Sequence, residues 1–259
     1  MLRRAWKFVL LPLAGVLALA PALASAQTGS FVISQNGKPV GTASFNFTPT
    51  PHGYDSTSLV RIAMEGLNYA LSKTETLSPA NHLRHVQLSA TVNNAAVNVV
   101  AAPDARAEVG SGPAQILINI SANGRSSTTR LAGHAAAVFL ADFDPGALET
   151  LLALGVARNN RDIWALVPKQ AGSVEPVTLA TYADEQGTLD GKPVVVHHLI
   201  ATVGGAVTDL FSGPENQLLQ AELPQKGFAM VRKGFVLTPP ASPGAPPAQQ
   251  GQGAGSQAP

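Results

Sequence analysis

The chain of 259 residues contains no cysteine. This excludes disulfides, thiolate nucleophiles and zinc–thiolate centres, even in an oxidising compartment. Charged residues make up only 13% of the chain, about half of the usual share of roughly 25%. Aromatic residues make up 5%, so aromatic platforms for stacking sugars or bases are not expected. No apolar run reaches the roughly 20 residues that span a bilayer.

The N-terminal segment has the pattern of a secretory signal peptide. Arg3, Arg4 and Lys7 precede an apolar run at 8–20, and Ala24-Ser25-Ala26 has the small-x-small pattern of a cleavage site. We therefore predict a signal peptide at 1–26, cleaved after Ala26, and a periplasmic or secreted protein. The cleavage region lacks the cysteine of a lipoprotein, so a soluble mature chain is expected.

The mature chain is close to neutral. Without Arg3, Arg4 and Lys7, 14 basic residues stand against 16 acidic ones, a net charge of −2. This is not the electrostatic footprint of a protein that binds nucleic acid or anionic lipid. We expect no nucleic-acid partner and no transmembrane segment.

Composition divides the rest of the chain into two parts. Residues 239–259 are Pro, Ala, Gly, Gln and Ser, without charge or large apolar side chains. Such a segment cannot bury enough apolar surface to offset the entropy of ordering it, so a disordered tail is predicted. Residues 27–238 are predicted to form one β-rich domain.

Alternating apolar and polar residues predict many strands. Asn36-Gly37 lies between two such runs and predicts a hairpin, because a type I′ turn needs two residues with positive φ. In the second run Ala43, Phe45 and Phe47 share one face, which we expect to be buried. The predicted strands are 31–35, 40–47, 59–63, 67–77, 83–92, 95–101, 115–121, 126–131, 163–167, 177–184, 187–189, 194–203, 217–223 and 228–237.

One segment, 145–158, predicts an amphipathic helix. Asp144 is a capping residue, Pro145 suits the first helical position, and Asn159 can end the helix. Leu148, Leu151 and Leu152 follow the helical spacing and form an apolar stripe that should face the sheet. The fold class is therefore mainly β, a single curved antiparallel sheet with one helix packed on it.

A short sequence echo links the two halves of the chain. Asn36-Gly-Lys-Pro-Val40 is repeated as Asp190-Gly-Lys-Pro-Val194. Repeated hairpin chemistry explains this match, and so does a duplication that gives two related halves of a curved sheet. The sequence does not decide between them.

No polar constellation specifies a reaction. In an extended segment Asp142 and Asp144 would share one side and could act as an acid/base pair or a cation site. Alternatively, Asp144 caps the helix and Asp142 is solvated. The capping interpretation is favoured. His197 and His198 are adjacent, so in a regular strand they point to opposite faces and cannot chelate one ion. No catalytic residue, metal site or cofactor is predicted. Asp142, Asp144 and Asn216 are the candidate polar site residues.

Three segments together resemble a group of bacterial cell-envelope domains, the half-barrel folds similar to lipoprotein-localisation factors. The segments are Phe139-Leu-Ala-Asp-Phe-Asp-Pro145, Leu189-Asp-Gly-Lys-Pro-Val194 and Glu222-Leu-Pro-Gln-Lys-Gly-Phe228. The resemblance implies an exported domain that binds acyl chains between a curved sheet and a helix.

Three functions follow as hypotheses. The first is a non-catalytic binding or carrier module for an apolar small molecule or lipid. The second is a structural or assembly protein of the envelope that contacts another protein. The third is a hydrolase without a recognisable motif; enzyme activity is left open, with a non-enzyme favoured. The expected ligand-lining residues are Leu148, Leu151, Leu152, Phe45 and Phe47.

Overall fold

A computed structural model describes residues 27–105, 114–169 and 171–239. The predicted signal peptide and nearly all of the predicted tail lie outside the described residues. The described chain is mainly β, as predicted, with one large sheet that does not close on itself.

The first half is a meander of long antiparallel strands. Each strand from β1 to β8 pairs with the next one along the chain. The strands are β1 (Gln27–Gln35), β2 (Lys38–Thr50), β3 (Gly53–Met64), β4 (Leu67–Leu77), β5 (Leu83–Val92), β6 (Ala95–Pro103), β7 (Gln115–Ala122) and β8 (Arg125–Ala132).

The second half adds shorter strands and the helix α1 (Pro145–Arg158). The strands are β9 (Ala137–Phe139), β10 (Ile163–Val167), β11 (Ser173–Thr181), β12 (Glu185–Leu189), β13 (Lys192–Val203), β14 (Ala206–Ser212), β15 (Leu218–Leu223), β16 (Phe228–Arg232) and β17 (Phe235–Leu237). A 3₁₀ turn at Pro224–Lys226 precedes β16.

Strand β1 joins the two halves into one sheet, because β2 pairs with one of its edges and β16 with the other. From β16 the sheet continues through β15, β14, β13, β11 and β10 to β9. The β9–β10 pair is parallel, so the sheet is mixed rather than purely antiparallel. The turn after β10 approaches the far end of the sheet, where Gly172 lies against Ile118 and Leu131.

Helix α1 buries more of its surface than the apolar stripe predicted from the sequence. It contacts β2 and β3 from the first half and β9, β10 and β15 from the second. Leu148, Leu151 and Leu152 are buried, as predicted, but so are Glu149 and Thr150. A helix over 145–158 packed on the sheet is therefore confirmed, and its burial extends beyond the predicted apolar stripe, since only the last turn of α1 is exposed.

The sequence echo corresponds to two three-stranded units with the same construction. In one unit the Asn36-Gly37 turn joins β1 to β2, and β16 pairs with the other edge of β1. In the other unit the Asp190-Gly191 turn joins β12 to β13, and β17 pairs with the other edge of β12. All four turn residues have positive φ.

Each unit is closed by the same turn contact. The Asn36 N–H donates to the Gly227 carbonyl at 2.8 Å, and the Asp190 N–H donates to the Gly234 carbonyl at 2.9 Å. Each glycine is the middle residue of a Lys-Gly-Phe sequence, and the phenylalanine is the first residue of β16 or of β17. The match of pairing, register and flanking sequence favours two related units over coincidental hairpin chemistry.

Several predicted strand boundaries are wrong. The strand predicted at 59–63 begins at Gly53 and ends at Met64. The single strand predicted at 228–237 is two strands, since the chain turns at Lys233-Gly234 and Gly234 has φ of +83°. The strand predicted at 177–184 ends at Thr181.

Candidate ligand cavity and a buried charge cluster

A cavity of about 160 Å³ lies between α1 and the second half of the sheet. The helix contributes Leu148 and Leu151 to its wall. The sheet contributes mostly small and apolar side chains, among them Ala201, Val203, Ala221 and Met230. A dry apolar cavity of roughly 150 Å³ can hold a ligand as large as benzene, so the size suits a small apolar group.

Polar side chains lie at one side of this cavity. Asp142, Asp144, Lys169 and Lys226 all line it. Lys169 Nζ is 2.9 Å from Asp142 Oδ1, and both side chains are more than half exposed. An ion pair between such exposed side chains contributes little to stability. Because Lys169 and Lys226 are both exposed, their ammonium groups are accessible to an anionic group at the cavity.

The predicted ligand-lining residues and the polar candidate Asn216 divide among three places. Leu148 and Leu151 line the cavity, whereas Leu152 and Asn216 line a separate surface pocket beside the end of α1. Phe45 stacks on Phe31 and contacts Phe47 edge to face. The two phenylalanines therefore belong to the packed core of the first half rather than to the cavity wall.

Asp142 and Asp144 do not form a carboxylate pair. Phe143 between them has φ of +58°, so the segment is not extended and the two side chains diverge. Asp144 is buried and caps α1, since its Oδ1 accepts from Gly146 N–H at 3.0 Å and from Ala147 N–H at 3.2 Å. The capping interpretation is confirmed, and Asp142 is the exposed partner of Lys169.

Asp144 also belongs to a buried charge cluster, defined here as Lys73, Glu75 and Asp144. Lys73 Nζ lies 2.9 Å from Glu75 Oε2 and 2.6 Å from Asp144 Oδ2, and none of the three side chains is exposed. The contact with Glu75 is a hydrogen bond. The closer approach to Asp144 lacks hydrogen-bond angles, so that Oδ2 has no hydrogen-bond partner among the described residues.

Two serines complete the surroundings of the charge cluster. Ser58 lies directly across from Lys73 in the β3–β4 ladder, and Ser56 lies across from Glu75. Both hydroxyls are buried without a hydrogen-bond partner among the described residues. Gly146 permits the start of α1 to reach them, because a Cβ at that position would lie 2.5 Å from Ser58 Oγ.

Burial and mutual charge oppose one another in this cluster. For Lys73, burial acts to lower the pKa, but Asp144 and Glu75 outweigh it and the net pKa is raised. For Glu75, burial dominates over the nearby ammonium and raises the pKa. Burial also raises the pKa of the neighbouring Tyr69 phenol, which donates to the Asp142 carbonyl. The carboxylate of Glu75 is thus a stronger base than an exposed one.

A second buried carboxyl lies on the other side of α1. Glu149 Oε2 accepts from Leu218 N–H at 2.7 Å and so connects the helix to β15. Burial raises the pKa of Glu149 to about 7, against the lowering effects of that hydrogen bond and of Arg232. This carboxyl titrates near neutral pH.

The adjacent histidines contact different carboxylates. His197 Nδ1 is 2.9 Å from Asp184 Oδ1. His198 is flanked by Glu185 and Asp209, at 3.2 and 3.0 Å from its two ring nitrogens. In the described ranges no cluster of three or more histidine and acidic residues is arranged to hold a metal ion.

Of the charge cluster, only Asp144 was predicted from the sequence as a site residue; Lys73 and Glu75 were not, although a signal exists. Lys73 and Glu75 are in phase with Leu71 and Leu77 on the buried face of β4. Two charged residues in the apolar phase of a strand require a buried partner. For Lys73 the partner from outside the strand is Asp144, which is so distant in sequence that strand periodicity does not indicate it.

Comparison with known proteins gives no relative: no family model matches the chain, and neither a curated sequence nor a solved structure is significantly similar to it. Across the described ranges, no helix has the length and apolar character needed to cross a membrane.

Proposed function

We propose that the protein is an exported, non-catalytic binding module for a small apolar or amphipathic ligand. The observation that supports this most directly is the 160 Å³ cavity between α1 and the sheet, with leucines of the helix on one wall and small apolar side chains on the other. Ligand sites are typically apolar with a few polar groups that orient the ligand. Lys169 and Lys226 provide such groups here.

The cavity size limits the ligand class. It suits a small hydrocarbon or the end of an acyl chain, but it is smaller than the roughly 300 Å³ at which sites for drug-sized ligands begin. The two lysines favour a ligand with an anionic group. A medium-chain fatty acid anion combines both features, since its tail can enter the cavity while its carboxylate remains at the lysines.

The proposal is tested with sodium octanoate as the probe. We expect octanoate to raise the melting temperature of the mature protein and to bind in calorimetry. Ala201→Leu places additional carbon atoms in the cavity and should weaken binding at least tenfold. Ala180→Leu is the matched control, because Ala180 is exposed on the neighbouring strand β11 and should bind octanoate like the wild type.

A second observation favours a structural or assembly role. Helix α1 is buried along its first ten positions apart from Ala153, so it resembles a packed core element more than a mobile lid. If octanoate and toluene both leave the melting temperature unchanged and no small molecule co-purifies in native mass spectrometry, the assembly role becomes the better explanation.

Export is part of the proposal and has its own test. The mature protein from the periplasm or culture medium should begin at Gln27, because Ala24-Ser25-Ala26 forms the predicted cleavage site. Intact mass measurement of that material checks this. A retained N-terminal segment would contradict the exported form.

A further inference from the structure

The charge cluster brings an amine and a carboxyl into contact where water is excluded. Lys73 Nζ lies 2.6 Å from Asp144 Oδ2, outside hydrogen-bond angles, and both side chains are fully buried. Glu75 lies within hydrogen-bond distance of the same amine. A lysine in contact with an aspartate, and a glutamate hydrogen-bonded to that lysine, are the components needed to condense an amine with a carboxyl group in a buried site.

We propose that Lys73 and Asp144 become joined by an intramolecular isopeptide bond, with Glu75 as the proton relay. The Lys73 nitrogen attacks Cγ of Asp144, a C–N bond forms and the C–Oδ2 bond breaks. Two of the three ammonium protons end on Oδ2, which leaves as water, and the third stays on the amide nitrogen. The ion pair is neutral and so are the products, so charge and atoms balance without a co-reactant.

The cap of α1 supplies stabilisation for the tetrahedral intermediate. Oδ1 of Asp144, the oxygen that would carry the developing negative charge, already accepts from the N–H groups of Gly146 and Ala147. Two backbone donors at a helix N-terminus have the arrangement of an oxyanion hole. The same hydrogen bonds persist after the reaction, because Oδ1 becomes the carbonyl oxygen of the amide.

Glu75 is positioned to move the protons. Its Oε2 lies 2.9 Å from Lys73 Nζ, and its other oxygen has no hydrogen-bond partner among the described residues. Burial raises the pKa of Glu75, which makes its carboxylate a better proton acceptor than an exposed one. The two carboxylates also raise the pKa of Lys73, so the ammonium gives up its proton to Glu75 only as the C–N bond forms. The protonated form then delivers that proton to the leaving oxygen.

The alternative is a permanent buried ion pair, which the surroundings do not favour. Removing these charges from water is unfavourable unless every remaining polar atom is satisfied. Here Ser56 Oγ, Ser58 Oγ and one oxygen of Glu75 are buried without a hydrogen bond among the described residues. Conversion of the pair into a neutral amide removes two of the three charges, and the raised pKa of Glu75 allows the remaining carboxyl to hold a proton.

Tryptic peptide mapping of the purified, unfolded full chain tests the proposal. Trypsin should not cleave at a modified Lys73, so residues 62–84 and 131–158 should appear as one branched peptide, lighter by one water than the sum of the two. The proposal is overturned if unmodified peptides 62–73, 74–84 and 131–158 are recovered instead. A water loss that maps elsewhere, for example to Asp190-Gly191, also overturns it.

Variants separate the proton relay from the fold. Glu75→Gln keeps the size of the side chain but cannot relay a proton, so branched peptide should form about 100-fold more slowly or more. Glu149→Gln, another buried carboxyl in a strand–helix contact, is the matched control and should react like the wild type. Lys73→Arg should yield no branched peptide. Branched peptide at the wild-type rate in Glu75→Gln would exclude Glu75 as the relay.

Discussion

Glu149 makes stability depend on pH in a direction opposite to that of most carboxyl groups. Its pKa is raised from the ordinary 4.5 to about 7, so between these values the folded chain binds a proton that the unfolded chain has released. The contribution is fully present below about pH 4.5 and is lost as the pH rises through 7. We expect the free energy of unfolding to fall by about 1–3 kcal/mol from pH 5 to pH 8.5 because of this residue.

Glu149→Gln isolates that effect. The amide oxygen can still accept from the Leu218 N–H but does not titrate in this range. Urea unfolding at pH 5 and at pH 8.5 compares the pH dependence of stability in the wild type and in the variant. Glu75 is present in both proteins, so its own contribution to that dependence cancels. If the two proteins lose the same stability between these pH values, Glu149 has an ordinary pKa in the folded chain.

Contacts between residues close in sequence were predictable, whereas contacts between distant residues were not. The capping role of Asp144 was predictable, because cap and helix lie within four residues of one another. The ion pair of the same carboxylate with Lys73 was not predictable, because it depends on which strand passes beneath the helix. The divergence of Asp142 from Asp144 depends on the positive φ of Phe143, which is rare outside glycine, asparagine and aspartate.

Among the elements, the two Lys-Gly-Phe turns should be equivalent. A Cβ at Gly227 would lie 2.1 Å from Asn36 Oδ1, and a Cβ at Gly234 would lie 2.1 Å from Asp190 Oδ1. Both glycines also have positive φ. We expect Gly227→Ala and Gly234→Ala each to lower the free energy of unfolding by about 2–3 kcal/mol, from conformational strain plus the clash.

Gly205→Ala is the control for conformational strain alone, because φ is +81° there and no atom lies within 4 Å of the added Cβ. It should cost about 1 kcal/mol. Chemical denaturation of the three variants measures the difference. Equal losses in all three would mean that the turns do not dock as described.

Helix α1 provides the test that separates a packed core from a lid. Leu151 is 1% exposed and Val156 is 63% exposed. Leu151→Ala should lower the free energy of unfolding by about 2–5 kcal/mol, through lost transfer energy and a larger cavity. Val156→Ala, on the exposed last turn, should change it by about 0.5 kcal/mol or less.

The result also bears on the proposed function. A loss above about 2 kcal/mol without octanoate binding in the wild type favours the assembly role. A nearly unchanged stability, together with weaker octanoate binding, would identify α1 as a lid over the cavity.

Strand prediction followed the strength of the local signal. The long alternating strands β2 to β7 and the helix were predictable, because periodicity and turn residues agree there. Strand β14 (Ala206–Ser212) was missed although Gly204-Gly205 precedes it, a turn pair that indicates a hairpin when alternating runs flank it. Strand β9 has three residues and pairs in parallel with β10, a contact that local pattern cannot specify.

For the whole molecule, the predicted tail should be dispensable for stability. Residues 241–259 contain no large apolar side chain, so they cannot contribute a core. Deleting Ala241 to Pro259 should leave the melting temperature within about one degree of that of the full chain, since even 1 kcal/mol corresponds to a few degrees in a domain of this size. A decrease of several degrees would show that the tail docks on the domain.

The fold class was predictable from the sequence, but the joining of the two halves into one sheet was not. Hairpin signals specify neighbours along the chain, and they account for the meander from β1 to β8. The pairing of β1 with β16 joins Phe31 to Arg232, and no turn residue encodes a partner so distant in sequence. The same holds for the position of α1 against strands of both halves.

The central place of β1 sets the order in which the domain can be completed. During synthesis β1 emerges early. One edge of β1 stays unpaired until β16, about two hundred residues later, has also emerged. Closing so long a loop is slow relative to local hairpins, so the nascent chain should remain incompletely folded until β16 has emerged. For a chain exported as proposed, this late pairing would preserve an unfolded state during translocation.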